Sequence, residues 1–379
     1  MAVNNNDNGN NVNDSHNTNN NTNNNLNTNN SNMIIVWSSV TKLLTVHLLA
    51  VYGLYCWLLT ARYQTILWTY SLGVCSSFGI LCGAHRLWSH RSYKARLPLR
   101  VLLMLLNTLA LQNTIYDWCR DHRGHHKFSE TDADPHNSRR GFFFSHMGWL
   151  MVRKHQLVVE KGRTLQLQDL SADPVVRFQR RYYLPLVILV WGLVPTLLPW
   201  YMWSESLAIA FSVNMTRYVM SLHHTWLVNS LAHMSGYRPY DKYIASRENQ
   251  SVVYLTLGEG YHNYHHTFPF DYSASELGWK SNFNLATAFI DMFAYMGQAY
   301  DRKQAPIESI ENRKLRTAAA TDLIDDLNNH HNNIPVPNNT INNNSNNMYG
   351  YASTVYDYLM GILVVTWPLW LTFTIRLFI

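Results

Sequence analysis

Cysteine is scarce in this chain: Cys56, Cys75, Cys82 and Cys119 are the four among 379 residues. They are scattered without a pairing pattern, and three of them fall in or beside apolar runs. Reduced thiols are therefore expected and a disulfide framework is not. Charge is also thin, at 14% Asp, Glu, Lys and Arg. No apolar run opens the chain, because residues 1–32 are polar, with 18 Asn among them. That excludes a secretory signal at this position, and the first membrane segment is expected to act as its own insertion signal.

What is present is apolar and aromatic. Hydrophobic residues make up 47% of the chain, with 13 Trp and 23 Tyr. The mean hydropathy of −0.19 averages two unlike materials. One is Asn-rich: residues 1–32, and residues 328–347 with 11 more Asn. Such tracts bury too little apolar surface to offset chain entropy and read as disordered. The other is the segment between them. The net charge of +6 and pI near 9.0 fit a membrane surface or an anionic ligand, and the apolar runs favour these over nucleic acid.

A membrane helix needs about 20 mostly apolar residues. Residues 43–60 qualify, with His47 inside. Residues 64–84 follow after a short link, and residues 183–203 and 206–222 form a second pair. Pro185, Pro195 and Pro199 are tolerable in a membrane helix. The links at 61–63 and 204–205 hold one basic residue, Arg62, whereas 85–100 and 114–181 are rich in Arg and Lys. The positive-inside rule puts the basic stretches in the cytosol. Residues 97–111, short and carrying Arg100, read as a helix lying in the interface or re-entering from the cytosol. Residues 358–379 are long enough for a further span, with a tail anchor or a buried helix as alternatives.

Eighteen histidines are many, and their placement is patterned. His85 and His90 form H-x4-H at the end of the second span. His122, His125 and His126 form H-x2-H-H, and His262, His265 and His266 repeat it. On an α-helix, positions i, i+3 and i+4 share a face, so each H-x2-H-H points three rings at one region. His85 and His90 lie about 140° apart on an ideal helix and meet a common metal only where the helix frays or ends. Loop charge alone places all three clusters on one side of the membrane. His47, His155, His223 and His224 read as packing or hydrogen-bonded histidines, as do His136 and His146, and His16, His330 and His331 fall in Asn tracts.

Eight clustered imidazoles exceed the needs of one ion and imply two metals. Imidazole suits zinc, copper, iron and nickel alike. A metal pair against apolar helices suggests a lipid substrate, and unactivated C–H bonds need redox chemistry, which zinc lacks. Among the nearby carboxylates Asp117, Asp121, Asp132, Asp134 and Glu259, the reading favours Asp121 and Glu259 as partners for the far ring nitrogens.

HRLWSHRSYKA (85–95), DHRGHHKFSETDADPHNSRRGFFFSHMGWL (121–150), HHTWLVNSLAH (223–233) and GEGYHNYHHTFPFDY (258–272) resemble the acyl-CoA desaturases of the stearoyl-CoA, or delta-9, type, with wording closest to insect members. The resemblance runs from about Ile34 to Lys303. It implies an all-α integral membrane fold: four transmembrane helices under a cytosolic helical cap that holds a dimetal site, with a C-terminal apolar helix in addition. It implies two Fe2+ ions held by His85, His90, His122, His125, His126, His233, His262, His265 and His266, with Asn229 acting through a water. His233 enters this set by resemblance alone. The same carry-over assigns the CoA head group and adjoining acyl chain to Asn113, Arg120, Arg153, Lys154 and Trp226. Charge-assisted bonds from cations to CoA phosphates give this physical sense. Thr69 and Gly73, deep in the second span, are candidates for the chain end.

The chain then divides into a disordered tail (1–32), a membrane and catalytic domain (33–305), a polar, partly Asn-rich linker (306–357) and an apolar segment (358–379). The implied reaction removes two hydrogens from a saturated long-chain acyl-CoA, using O2 and electrons from cytochrome b5 and its reductase, and leaves a cis double bond. The implied membrane is that of the endoplasmic reticulum, crossed several times, with the catalytic face cytosolic. No HPGG haem motif is present, so the b5 is expected as a separate protein. A fatty-acyl hydroxylase or bifunctional enzyme on the same diiron fold is the alternative. A scaffold retaining a metal site and a zinc membrane hydrolase stand behind it. Three departures touch no ligand: Gly124 where the family has alanine or valine, RTAAATD at 316–322, and the Asn-rich and C-terminal segments.

Overall fold

The computed structural model describes residues 33–318 and 343–378. The expected tail at 1–32 and much of the polar linker lie outside the described residues. Helices dominate. The first is α1 (Trp37–Leu59), and a three-residue link leads to α2 (Tyr63–Ser89). Next come α3 (Leu97–Ala110) and α4 (Ile115–Phe128). After several short helical turns, α5 (Tyr183–Trp203) and α6 (Leu207–Met234) form a second long pair. Then follow α7 (Gln250–Leu255), α8 (His262–Thr267) and α9 (Leu285–Tyr295). The C-terminal pair is α10 (Asn343–Val365) and α11 (Trp367–Leu377). Two two-residue strands, β1 (Lys94–Ala95) and β2 (Ala299–Tyr300), pair antiparallel and tie the end of α2 to the end of α9.

Helices α1, α2 and α5 are long and apolar enough to cross a membrane. The residues 354–365 and 367–377 of α10 and α11 pass as one further span only if a 60° bend is allowed. Helix α6, expected as a span over 206–222, is longer than that and more polar. It buries Asn214, Thr216 and Arg217, and each finds a partner: Asn214 Nδ2 donates to the Trp191 carbonyl (3.0 Å), Thr216 Oγ1 to the Ala50 carbonyl (2.8 Å), and Arg217 Nε to Asn214 Oδ1 (2.8 Å). Its surroundings are protein on most sides, so polar residues are affordable there.

Close backbone approach fixes these helices relative to the site. A Cβ on Gly53 would collide with the Ser212 backbone, which brings α1 against α6. One on Gly79 would collide with the backbone of Leu106 and Asn107, which brings α2 against α3. Small residues at helix contacts are a membrane-type packing solution. The main core gathers Ile80, Leu87 and Trp88 of α2, Leu99 and Leu103 of α3, and Ile290 of α9.

Within the long helices described, two stretches depart from α geometry. Residues Gly79–Ser89, the last part of α2, form a π-helix, as do Val187–Leu193 between Pro185 and Pro195 in α5. Proline supplies no N–H, and a wider turn re-satisfies freed carbonyls, so the second case follows from sequence. The first has no proline and lies at the histidines. The segment expected as a linker begins with a helix, Ile307–Thr317, clamped by Arg313 to Asp241 and by Lys314 to Glu276.

Candidate metal centre

Residue by residue, the π-helical end of α2 resolves the awkward spacing of His85 and His90. In a π turn the i→i+5 bond replaces i→i+4, and the His90 N–H donates to the His85 carbonyl at 3.1 Å. The two rings come to 4.9 Å between centroids. Of the two expected ways for them to meet, a frayed helix or a helix end, the second holds, since His90 caps the end of α2, and the widened turn brings the rings together without fraying. Helix α4 carries His122, His125 and His126, with Thr114 capping its start by accepting from the Asp117 N–H (3.1 Å). Helix α8 carries His262, His265 and His266, and the last turn of α6 carries His233.

These nine rings meet in two groups. Ring nitrogens of His85, His90, His122, His126 and His265 all lie within 4.8 Å of one another, and so do those of His125, His233, His262 and His266. Within the first, His90 Nε2 is 2.8 Å from His122 Nε2, and His265 Nε2 is 3.0 Å from His85 Nε2 and 3.2 Å from His126 Nε2. Within the second, His262 Nε2 is 2.9 Å from His233 Nε2 and 3.0 Å from His266 Nε2. The α4 H-x2-H-H is thus split, with His125 facing one group and His122 and His126 the other.

Three carboxylates hold the outward nitrogens. His85 Nδ1 is 2.9 Å from Glu259, His125 Nδ1 is 3.0 Å from both oxygens of Asp134, and His233 Nδ1 is 2.8 Å from Glu130. This fixes the tautomer: Nδ1–H donates and the inward Nε2 carries a lone pair. Glu259 fulfils its expected place and also binds buried Arg86 (2.7 Å). Asp121 does not. It pairs with Arg120 (3.0 Å) and with Lys154, so its charge serves the cations of the surface rather than a histidine. Glu130 is the partner missed from sequence, and Asp134 is one that the sequence names among the nearby carboxylates without favouring it. Their one sequence signal is position, five and nine residues after His125 on a segment that turns back at Glu130, where φ is +62°.

The arrangement fits metal ions. Converging lone pairs repel, and one N–H on His262 or His265 serves only one of its two close neighbours. A cation in each group satisfies all of them, and all-imidazole donors suit a borderline transition metal. Burial first, and the neighbouring imidazoles second, push His122, His126, His262, His265 and His266 well below the ordinary histidine range. The rings are neutral at pH 7, as ligation requires. Burial opposes ionisation of Glu259, but Arg86 and His85 outweigh it and hold its carboxyl down at about 2. Asp134 is likewise held below its usual range, against burial, by His125 and His136. His136 is no bystander: with His125 and Asp134 it forms a third close group, and burial lowers it to about 3. His146 and His223 are hydrogen-bonded as expected, His146 Nε2 to His223 Nδ1 at 2.9 Å and His223 Nε2 to His47 Nε2 at 3.2 Å.

Three cavities run in series past the histidines. The outermost, about 280 Å³, is lined by Lys42, Gln112, Asn113, Trp149, Trp226 and Asn229. It shares Trp118, His122, Thr225 and Asn229 with a cavity of about 50 Å³ that also touches His85, His125 and His262. That cavity shares Ser77 and His224 with an apolar one of about 70 Å³, where Thr69 and Gly73 lie. A broad groove of about 960 Å³ beside α4 is lined by Arg120, Lys154, Arg163 and Arg180. Arg153 is exposed and lines neither; its backbone N–H donates to the Ile34 carbonyl (2.9 Å).

Residues 61–280 match the family model described as fatty acid desaturase. The chain belongs to the fatty acid desaturase family. It is 58% identical over 284 residues to stearoyl-CoA desaturase 5 of Bos taurus, covering 75% of this chain and 84% of that one. It is 55% identical over 283 residues to stearoyl-CoA desaturase of Sus scrofa, covering 74% and 78%. It is 55% identical over 285 residues to acyl-CoA desaturase of Cyprinus carpio, covering 75% and 86%. Within the family the chain therefore sits with the acyl-CoA desaturases.

Proposed function

We propose that the chain is an acyl-CoA desaturase, an oxidoreductase that introduces a cis double bond at the delta-9 position of a saturated long-chain acyl-CoA with two iron ions, O2 and electrons from cytochrome b5 and its reductase. The names of its relatives support the reaction class. The single observation that carries the reading is the convergence of nine imidazoles in groups of five and four, of which His85, His122, His125 and His262 line a small cavity lying between a polar mouth and an apolar end.

His85, His90, His122, His126 and His265 would hold one ion and His125, His233, His262 and His266 the other, and Asn229 would act through a water. Bound there, iron supplies the one-electron and O2 chemistry that an unactivated C–H bond requires. The protein's own part is placement. Glu259, Asp134 and Glu130 keep three rings oriented. Arg120 and Lys154, with Arg153 beside them, receive CoA phosphates, and Asn113 and Trp226 receive the start of the acyl chain. The buried route past His122 and Asn229 excludes water and lines the chain up so that one C–C bond faces the histidines.

The membrane arrangement is four spans, α1, α2, α5 and α6, with the histidine-bearing helices on the cytosolic side of the endoplasmic reticulum. The basic stretches at 85–100 and 114–181 support that orientation. Expression in desaturase-deficient yeast, followed by mass-spectrometric mapping of new double bonds, tests the reading. Oleate and palmitoleate are expected. A product that gains oxygen without losing two hydrogens favours a hydroxylase, and growth only with supplied unsaturated fatty acid sinks the proposal.

A further inference from the structure

The C-terminal helix pair forms the far wall of the apolar cavity. Val364 and Val365, at the end of α10, and Trp367 and Pro368, at the start of α11, line it opposite Thr69 and Gly73 of α2. The bend that puts them there is written in the sequence. Pro368 takes the second position of α11, a place where its missing N–H costs nothing, and disfavours continuous helix before it. The chain breaks at Thr366, and the two helices diverge by 60°.

The pair is fastened on both sides of the bend. On one side, Asp357 accepts from Gln250 Nε2 (2.8 Å), the Tyr254 hydroxyl (2.6 Å) and the Phe283 N–H, and Gly361 lies so close to the Phe283 ring that a Cβ would collide with it. On the other, Trp57 Nε1–H donates to Thr372 Oγ1 (3.0 Å), and Arg376 donates to the carbonyls of Trp57 and Leu58 (2.8 Å each). Between them the Tyr70 hydroxyl donates to the Val365 carbonyl (3.3 Å). Apart from the exposed Gln250 bond, these are buried or half-buried polar contacts that a loosely attached tail anchor does not make.

The geometry points to a specificity role: Trp367, with Val364, closes the end of the acyl route and sets how long a chain fits between the histidines and the wall. The inference rests on the desaturase reading, since the occupant is the methyl end of the acyl group. The cavity adjoins the histidine cavity, with Ser77 and His224 lining both, and Val74, Met220, Leu255, Leu257, Val364 and Val365 make most of its lining apolar beside Arg217 and His224. An apolar pocket excludes water and accepts a methyl end by volume, so one methylene too many is rejected sterically.

The test compares full-length enzyme, Trp367→Ala and Val364→Phe on even-numbered saturated acyl-CoAs from lauroyl to arachidoyl, reading kcat/KM and double-bond position. Trp367→Ala is expected to raise the longer-to-shorter substrate ratio about tenfold, and Val364→Phe to lower it about as much. The double bond stays at the same carbon counted from CoA. An unchanged chain-length profile in both active variants overturns the inference and leaves the desaturase reading intact. Wild-type enzyme without desaturation sinks the reading itself. A second measurement uses wild type only: an acyl-CoA with a diazirine at its methyl end should label the peptide containing 364–368. Labelling confined to other segments overturns the inference even if the variants fail to fold.

Discussion

The backbone N–H of His90 donates to the carbonyl of His85, five residues back, and so turns an unfavourable helical spacing into a shared direction. Both rings then belong to the same five-ring group. His85→Ala or His90→Ala should therefore remove one ion and spare the other. Metal analysis of purified protein is expected to give about one iron per chain instead of two, with desaturation lost. Two retained irons in either variant would contradict the grouping.

Glu259 and Glu130 each hold a histidine, but only Glu259 also neutralises a buried arginine, Arg86, which is 1% exposed. The two glutamines should separate these roles. Glu130→Gln is expected to weaken iron binding about 10–100-fold with little change in melting temperature. Glu259→Gln leaves the Arg86 charge unpaired in the interior and should cost about 3–5 kcal/mol of stability in addition. Thermal melts of the metal-free proteins read the difference; equal melting points would show that Arg86 finds another partner.

Much of this was legible in the sequence, for physical reasons. The H-x2-H-H spacing announced the rings of α4 and α8 as a cluster, although each triplet divides between the two groups instead of facing one region, and loop charge grouped the clusters on one side. The long helices α1, α2 and α5 followed from apolar length. What pattern reading missed depends on contacts distant in sequence or on non-α backbone. The π turn at 79–89 has no proline to announce it. Asp121 and Asp134 look alike beside histidines in the chain, yet Lys154 claims one and His125 the other. The split of His125 from His122 and His126 needs α8 in place before it means anything. The role of the C-terminal run as a wall required knowing that Thr69 and Gly73 face it.

Acidification should destabilise the iron-free protein. His262 and His265 are each 2% exposed, and burial holds both far below the ordinary value of about 6.5. A lowered folded-state value means the unfolded chain binds protons that the native state refuses. The stabilisation is complete above pH ~6.5 and declines as pH falls toward the folded-state values. These two rings alone give a slope of about 3 kcal/mol per pH unit once the unfolded chain is fully protonated. Urea midpoints of apo-protein between pH 7.5 and 5 check it. A flat profile would mean the rings are open to water without iron.

Asp121 bonds both Arg120 and Lys154, so the two cations proposed to receive CoA are already engaged before substrate arrives. Arg120 and Lys154 line the broad basic groove, and Asp121 joins it to the polar mouth that leads to the histidines. Bonds to charged groups contribute roughly 1.5–3 kcal/mol each. Arg120→Ala or Lys154→Ala should then raise KM for acyl-CoA about tenfold or more, with kcat nearly unchanged, because the phosphate contact is the same in ground and transition states. The effect should shrink at high salt, where phosphate attraction is screened. Asp121→Asn provides the opposite sign: it frees both cations and should lower KM at low ionic strength. A fall in kcat with constant KM in the alanine variants would instead tie these residues to the alignment of the acyl chain.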